Sequence, residues 1–282
     1  MDGSNVSVVI PVLNGARALP GLLGALATQT LPPSEVVVVD NGSTDATAAV
    51  AGALGVRVVT EPRRGRARAR NAGAAAATTD LIAFTDADCM PAPEWLQELA
   101  ACLVRAPLAA GRVELRTGEP PSRWERLERL WRFDQERSVA AGWAATANLG
   151  VRRDAFEAVG GFDESYRQIG EDVDFCLRAR RAGFDLSYCD GAVTRHDAER
   201  DARTIFMRAV SHGWSSQQHA RRWAGVVGWE HWRHPMPIVS GDWALRRFGP
   251  DAVAERELLW PARLEYAGRV VGSALAAARR VR

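Results

Sequence analysis

Residues 81–89 read Leu-Ile-Ala-Phe-Thr-Asp-Ala-Asp-Cys: an apolar run that stops at two carboxylates, Asp86 and Asp88. A run of that length bounded by polar residues suits a buried strand. In open α/β sheets, ligands bind just beyond the carboxyl ends of the strands. The strand therefore delivers two carboxylates to a binding crevice. Two hard oxygen donors there suit Mg²⁺ or Mn²⁺ holding a diphosphate. By itself Asp-x-Asp is a weak signal, common in surface loops, and it is the chain around it that gives it weight.

That chain alternates two kinds of segment. Val6-Ser7-Val8-Val9-Ile10-Pro11 is β-branched and closes on Pro11, a first buried strand. Within 15–29, Leu19, Leu22, Leu23 and Leu26 repeat at the spacing of one helix face. Pro32-Pro33 breaks the chain, and Val36–Val39 form a second strand that again ends on a carboxylate, Asp40. Asn41-Gly42-Ser43-Thr44-Asp45 is a turn with helix-capping chemistry ahead of an Ala-rich helix over 46–54. Val56-Arg57-Val58-Val59 is a third strand, and Arg66 to Ala77 reads as a helix with guanidinium groups near its start. The alternation predicts a parallel-rich α/β sheet flanked by helices.

Four segments, Val-Val-Ile-Pro11-Val-Leu-Asn14, Val-Val-Asp40-Asn-Gly-Ser-Thr-Asp45, Arg66-x-x-x-Arg70-Asn71-x-Gly73 and Phe-Thr-Asp86-Ala-Asp88, stand in the order seen in family 2 glycosyltransferases. A later segment matches too: Ala147-Asn148-Leu149, Arg152-Arg153-Asp154-x-Phe156, Gly160-Gly161-Phe162-Asp163-Glu164 and Gly170-Glu171-Asp172-Val173-Asp174-Phe175-x-Leu177-Arg178. The chain resembles that family over about residues 5–197, and five motifs in order make the resemblance specific. It implies the GT-A fold, an α/β architecture with a Rossmann-like, mixed, mostly parallel sheet flanked by helices. Residues 1–200 would form the glycosyltransferase domain, with about 1–110 as the nucleotide-sugar half and 111–200 as the acceptor half. Residues 201–282 would be a helical C-terminal extension packed on it.

The resemblance also implies a chemistry. A sugar nucleotide carries a diphosphate leaving group whose charge grows as the glycosidic bond breaks, and a divalent cation, Mn²⁺ or Mg²⁺, stabilises that charge. Asp88 is assigned to the metal and Asp86 to the ribose, the metal or both. Asp40 is assigned to the nucleobase, where a carboxylate accepts the ring N–H of uracil; Pro11 and Asn14 line the same pocket. Arg70 and Asn71 flank the base or the diphosphate. Asp172 is the general base that takes the acceptor hydroxyl proton. Glu171 positions the acceptor or the sheet end, and Asp174 is structural. His196, read as following a short strand over 192–195, is a candidate metal ligand, and imidazole suits Mn²⁺ better than Mg²⁺. Asn41 replaces a second Asp common in the family, with little consequence expected. Direct displacement by the acceptor inverts the anomeric centre.

The function this implies is metal-dependent, inverting transfer of one sugar from a nucleotide-sugar donor, most simply a UDP-sugar, to an acceptor hydroxyl on a glycan, a lipid-linked glycan or a natural product. The alternative is an inactive sugar-nucleotide-binding or protein-interaction relative. Two other classes fit poorly. Dehalogenase-like phosphatases want Asp-x-Asp on the first strand, and no Gly-x-Gly-x-x-Gly follows any strand as a dinucleotide site requires.

Composition agrees. With 282 residues, 47% of them hydrophobic, the chain can bury a sizeable core, and a net charge of +2 carries no signal for nucleic acid. Cys89, Cys102, Cys176 and Cys189 are scattered without a Cys-x-x-Cys pair, which predicts reduced thiols and a cytoplasmic setting. No apolar run approaches a membrane span, so the most expected is peripheral membrane contact. The basic stretch 262–282 is read first as a terminal helix packed on the domain and second as a helix lying on an anionic membrane. Trp124, Leu127, Leu130 and Trp131 predict one amphipathic helix over 122–139, and Trp143 is placed near the acceptor. Processive synthases of the family carry Gln-x-x-Arg-Trp; here Gln218-x-x-Arg221-Arg222-Trp223 is one residue out of register, which favours single-sugar transfer. His212, His219, His231 and His234 read as surface or packing residues.

Overall fold

The computed structural model describes residues 5–129, 132–166, 169–223 and 259–278. Its sheet runs β3 (Arg57–Thr60), β2 (Glu35–Asp40), β1 (Val6–Val12), β4 (Leu81–Thr85), β7 (Asn148–Arg152), β6 (Leu108–Arg116), β8 (Leu186–Asp197), β5 (Cys89–Pro91). The first four are mutually parallel. β7 pairs antiparallel with both β4 and β6, and β5 pairs antiparallel with β8. The sheet is therefore mixed, as expected.

The parallel strands are apolar throughout because both their faces are covered. On β1, Val6, Val8, Ile10 and Val12 share one face with Leu22 and Leu26 of α1 (Leu19–Ala27) and Leu99 and Leu103 of α4 (Trp95–Arg105). Val9 points the other way, to Ala67 and Ala74 of α3 (Arg66–Ala76) and a ring cluster of Phe84, Phe156, Phe162 and Phe175. Register then sets the site. Val12 lies opposite Asp40, and Val9 opposite Phe84, so β1, β2 and β4 end at one edge of the sheet. Pro11 lies beyond the β1–β4 ladder, where its missing N–H costs little on that side.

Four expectations change. The helix predicted over 122–139 is two short ones, α5 (Arg123–Arg129) and α6 (Gln135–Ala140). Between them Phe133 takes a left-handed φ of 59°, and Asp134 caps α6 by accepting from the Arg137 N–H. His196 does not follow a short strand but lies within the 12-residue β8. The thiols are not all reduced: Cys102 on α4 and Cys189 on β8 form a disulfide, while Cys89 and Cys176 are free and buried. Their Cα atoms are 6.4 Å apart although 87 residues separate them in sequence, a proximity that only packing reveals. Cysteine usage therefore no longer argues for a reducing compartment. Finally, Asn41 has a large structural role, described with the site.

The chain divides into two compact units. One takes in the chain up to Glu114, the segment starting at Phe133, and Glu171–His196, and it contains every residue expected at the site. The other takes in Leu115–Arg132, Gly170 and the chain from Asp197 onward. In that second unit two buried acids of α5 hold their surroundings. Glu125 accepts from the Gly118 and Ser122 N–H groups and pairs with Arg200; Glu128 accepts from the Glu199 N–H and pairs with Arg132 and Arg208. Asp201 caps α9 (Ala202–Arg222), accepting from the Thr204 N–H at 2.8 Å. The expected terminal helix is present as α10 (Leu259–Ala278) and packs on α9 through Gly213, Gly268 and Gly272. His231, His234, Trp131 and Trp229 lie outside the described residues. No helix among the described residues is long and apolar enough to cross a membrane.

Candidate active site

β4 ends at Thr85, and the chain turns at once, with the Cys89 N–H donating to the Asp86 carbonyl at 3.0 Å. The turn leaves Asp86 half-buried and Asp88 exposed. β5 then pairs with β8 so that Cys89 lies opposite His196. This register brings His196 Nε2 to 3.2 Å from Asp88 Oδ1. Asp88, Cys89 and His196 present ligand atoms within 4.8 Å of one another. Of the three, the carboxylate and the imidazole are fitted to Mn²⁺. The Cys89 sulfur is buried against the Ala147 carbonyl, and burial, with the Asp86 and Asp88 charges, pushes its thiol far above the ordinary value. It is a filler beside the site.

Arg70 links this turn to the other acids. Ala67, Arg70 and Ala74 share the sheet-facing side of α3, and at Gly73 a Cβ would stand 2.3 Å from Val9 Cγ1. Glycine there lets the helix press onto the sheet, which buries the Arg70 side chain almost completely. Its guanidinium meets Asp86 Oδ1 at 3.0 Å and also bonds Glu171 Oε1. Glu171 and Asp172 open α8 (Glu171–Arg181); Glu171 is buried and Asp172 half-buried. One buried guanidinium thus serves acids from two distant stretches of chain. Arg70 Nε and Glu171 Oε2 have no hydrogen-bond partner.

The acids respond differently. Burial would raise all three carboxyls, since it penalises the charged form. At Asp86 it is outweighed by Arg70, with Arg66 and His196 adding to it, and the carboxyl sits below its ordinary value. At Glu171 burial wins against Arg70, helped by the Asp172 charge, and the carboxyl is raised. At Asp172 burial again wins against Arg70, and this carboxyl too is raised. A raised carboxylate is a stronger base once it has lost its proton.

At the far strand ends the polar groups organise the loop. Asp40 Oδ1 accepts from the Ser43 N–H at 2.9 Å. Asn14, at φ 55°, accepts from the Thr44 N–H at 2.8 Å and receives the Ser43 hydroxyl at its own N–H. Pro11 is half-buried beside them in sequence. Asn71 is engaged elsewhere: its amide both donates to the Phe162 carbonyl and accepts from the Phe162 N–H, each at 2.9 Å, fixing the Gly160-Gly161-Phe162 turn. Asn41, expected to matter little, is buried; it donates to the Glu61 and Arg63 carbonyls and accepts from the Gly65 N–H. Those three bonds hold the loop that leads into α3. An aspartate could not make the two donations. Asp174, expected to be structural, is fully buried and accepts from Arg178.

Three-dimensional comparison gives the class. The architecture is similar to that of a mannosyltransferase from Pyrobaculum calidifontis solved with GDP-Man and Mn²⁺, with a TM-score of 0.62 and 20% identity over 97% of this chain and 75% of the other. It is also similar to Mycobacterium tuberculosis glucosyl-3-phosphoglycerate synthase solved with Mn²⁺, UDP and phosphoglyceric acid, with a TM-score of 0.57 and 21% identity over 77% of this chain and 78% of the other. The fold is GT-A. The sequence pattern of glycosyl transferase family 2 matches residues 7–160, and the chain belongs to that family: it is a glycosyltransferase. Among its relatives are the glycosyltransferase AglE of Haloferax volcanii, 32% identical over 68% of this chain, and the pre-mycofactocin glycosyltransferase of Mycobacterium tuberculosis, 35% identical over 77%. The matches span 67% of the first and about half, 48%, of the second.

Proposed function

We propose that this glycosyltransferase moves one sugar from a UDP-sugar to an acceptor hydroxyl with inversion, with Asp172 as the general base. The observation that carries the reading is Arg70, which bonds Asp86 at the strand end and Glu171 beside Asp172, and so puts a donor-side acid and the base in one network. Asp40, with one carboxylate oxygen on the Ser43 N–H, has a second oxygen to accept a uracil N–H. Pro11 and Asn14 would line the base, and Asn71 would support that wall through Phe162. Solved relatives of the same fold hold UDP or GDP-Man, which suits a nucleotide donor here.

Asp88 and His196 would hold Mn²⁺ or Mg²⁺, with Asp86 beside them. The four acids Asp86, Asp88, Glu171 and Asp172 outnumber the nearby guanidiniums of Arg70 and Arg66, so the site's charge is suited to a cation. Such a cation would offset the charge that grows on the departing diphosphate. Asp172, raised by burial, takes the proton from the acceptor hydroxyl as its oxygen attacks the anomeric carbon opposite the diphosphate. No enzyme nucleophile is required, so one displacement inverts the centre. The acceptor is proposed as a glycan, lipid-linked glycan or natural-product hydroxyl, and transfer as a single step without chain extension.

The test is Asp172→Asn. Transfer should fall by roughly 10²–10⁴-fold, the span of general-base catalysis, while donor affinity holds. Near-normal turnover would move the base elsewhere. A wild-type protein that neither hydrolyses nor transfers any sugar nucleotide with Mn²⁺ present would leave a binding relative as the reading.

A further inference from the structure

One residue before the two acids of α8, a buried histidine holds the backbone. Gly170 stands at φ +100°, a conformation that side chains disfavour. Its carbonyl oxygen lies 2.9 Å from Nε2 of His219 on α9. A carbonyl only accepts, so Nε2 carries the proton and the ring donates. Nδ1 then faces the Ser215 hydroxyl, 3.5 Å away and one helical turn earlier. Ser215 and His219 are both buried. A Cβ on Gly170 would stand 2.3 Å from Ser215 Oγ and 2.5 Å from His219 Cε1. The helix therefore approaches Gly170 as closely as glycine allows and aims a ring N–H at its carbonyl. A histidine that only filled space would need neither the glycine nor the aimed donor.

The peptide plane that carries this oxygen also carries the Glu171 N–H, because the peptide group is rigid. Asp172 is the next residue along. A glycine left without this clamp has wide freedom in φ and ψ, and the direction in which α8 starts would share it.

We propose that His219 is a positioning residue for sugar transfer: by holding the Gly170 carbonyl it fixes the peptide from which Glu171 and Asp172 project, and so the aim of the Asp172 carboxylate. The proposal rests on Asp172 being the base. It predicts a defect in turnover and not in donor binding, since misplacing a reacting group by about 1 Å can cost roughly 10²-fold.

The experiment uses the full chain with His219→Ala, His219→Gln, Asp172→Asn and the double variant His219→Ala with Asp172→Asn. The probe is the member of a panel of UDP- and GDP-hexoses that the wild type hydrolyses fastest with Mn²⁺. Rate, probe affinity and melting temperature are measured together. His219→Ala should slow turnover by about 10- to 100-fold with probe affinity within about twofold. His219→Gln, whose amide N–H can reach the same carbonyl, should recover most of the rate. In the Asp172→Asn background, His219→Ala should add no further loss, because both act through one carboxylate. A wild-type rate for His219→Ala beside an inactive Asp172→Asn would overturn the proposal and leave the base in place. So would a His219→Ala loss that persists in full in the double variant, or one that His219→Gln does not relieve. Normal turnover in Asp172→Asn alone would instead overturn the base, and it is read without any His219 variant.

Discussion

Two pairs of acids meet at this site, and they are built differently. Asp86 and Asp88 leave a buried parallel strand, with Ala87 between them. Glu171 and Asp172 are neighbours in the first turn of a helix, about 100° apart around its axis. Yet each pair is divided in the same way. One member, Asp86 or Glu171, bonds Arg70. The other, Asp88 or Asp172, does not share that bond: Asp88 is exposed beside His196, and Asp172 accepts from the Val173 N–H. The difference teaches that a single buried guanidinium can assign roles within two acid pairs that share neither secondary structure nor sequence neighbourhood. The clamped member sets geometry, and the other is left for a ligand or a proton.

The comparison breaks most sharply on the helix pair. Asp172→Asn should cost turnover by roughly 10²–10⁴-fold, and Glu171→Gln far less, because glutamine keeps an oxygen for Arg70. Equal losses would dissolve the division. The pH profile carries the same distinction. Since burial raises Asp172, kcat/KM should climb with pH as that proton leaves, with its acid limb above the ordinary aspartate range. Arg70 opposes the rise, so Arg70→Met should move the limb further toward alkaline pH.

Arg70→Met tests the clamp itself. It strands buried Glu171 and leaves Asp86 unpaired, and stability should fall by about 3–5 kcal/mol, measured by denaturant unfolding. Arg70→Lys keeps the charge but cannot fork between two carboxylates, so it should rescue only part of the loss. An unchanged midpoint in the Met variant would mean the network holds nothing together.

On the strand pair, Asp88→Ala should weaken Mn²⁺-dependent donor binding by at least about 10- to 100-fold, and His196→Ala by less. Calorimetric titration with Mn²⁺ and with chelator reads both. Donor affinity that ignores the chelator in the wild type would remove the metal from the strand end.

The smallest effect is on the donor-side scaffold. Asn41→Asp places a carboxylate against the Glu61 and Arg63 carbonyls in a buried position. Stability should fall by about 1–3 kcal/mol with little change in turnover per folded molecule. No change in melting would show that the loop before α3 is held by other contacts.

The sequence alone determined the strand ends. β1, β2 and β4 are continuous apolar runs that stop at Pro11, Asp40 and Asp86, and a parallel strand buried on both faces can be written in no other way. The family resemblance likewise named Arg70, Glu171 and Asp172, since local motifs survive as strings. What the string could not hold was pairing across distance. The Arg70–Glu171 bond joins residues 101 apart, Asn41 reaches 20 to 24 residues on, and Cys102 meets Cys189 through packing of α4 on β8. The break at Phe133 was hidden because the helical spacing of 122–139 runs straight across it. His219 carried no signal at all, as its meaning lies in a glycine carbonyl 49 residues away. Periodicity and motifs are short-range properties of the chain, whereas the partner of a buried charge or donor is chosen by whichever group folding brings within hydrogen-bond reach.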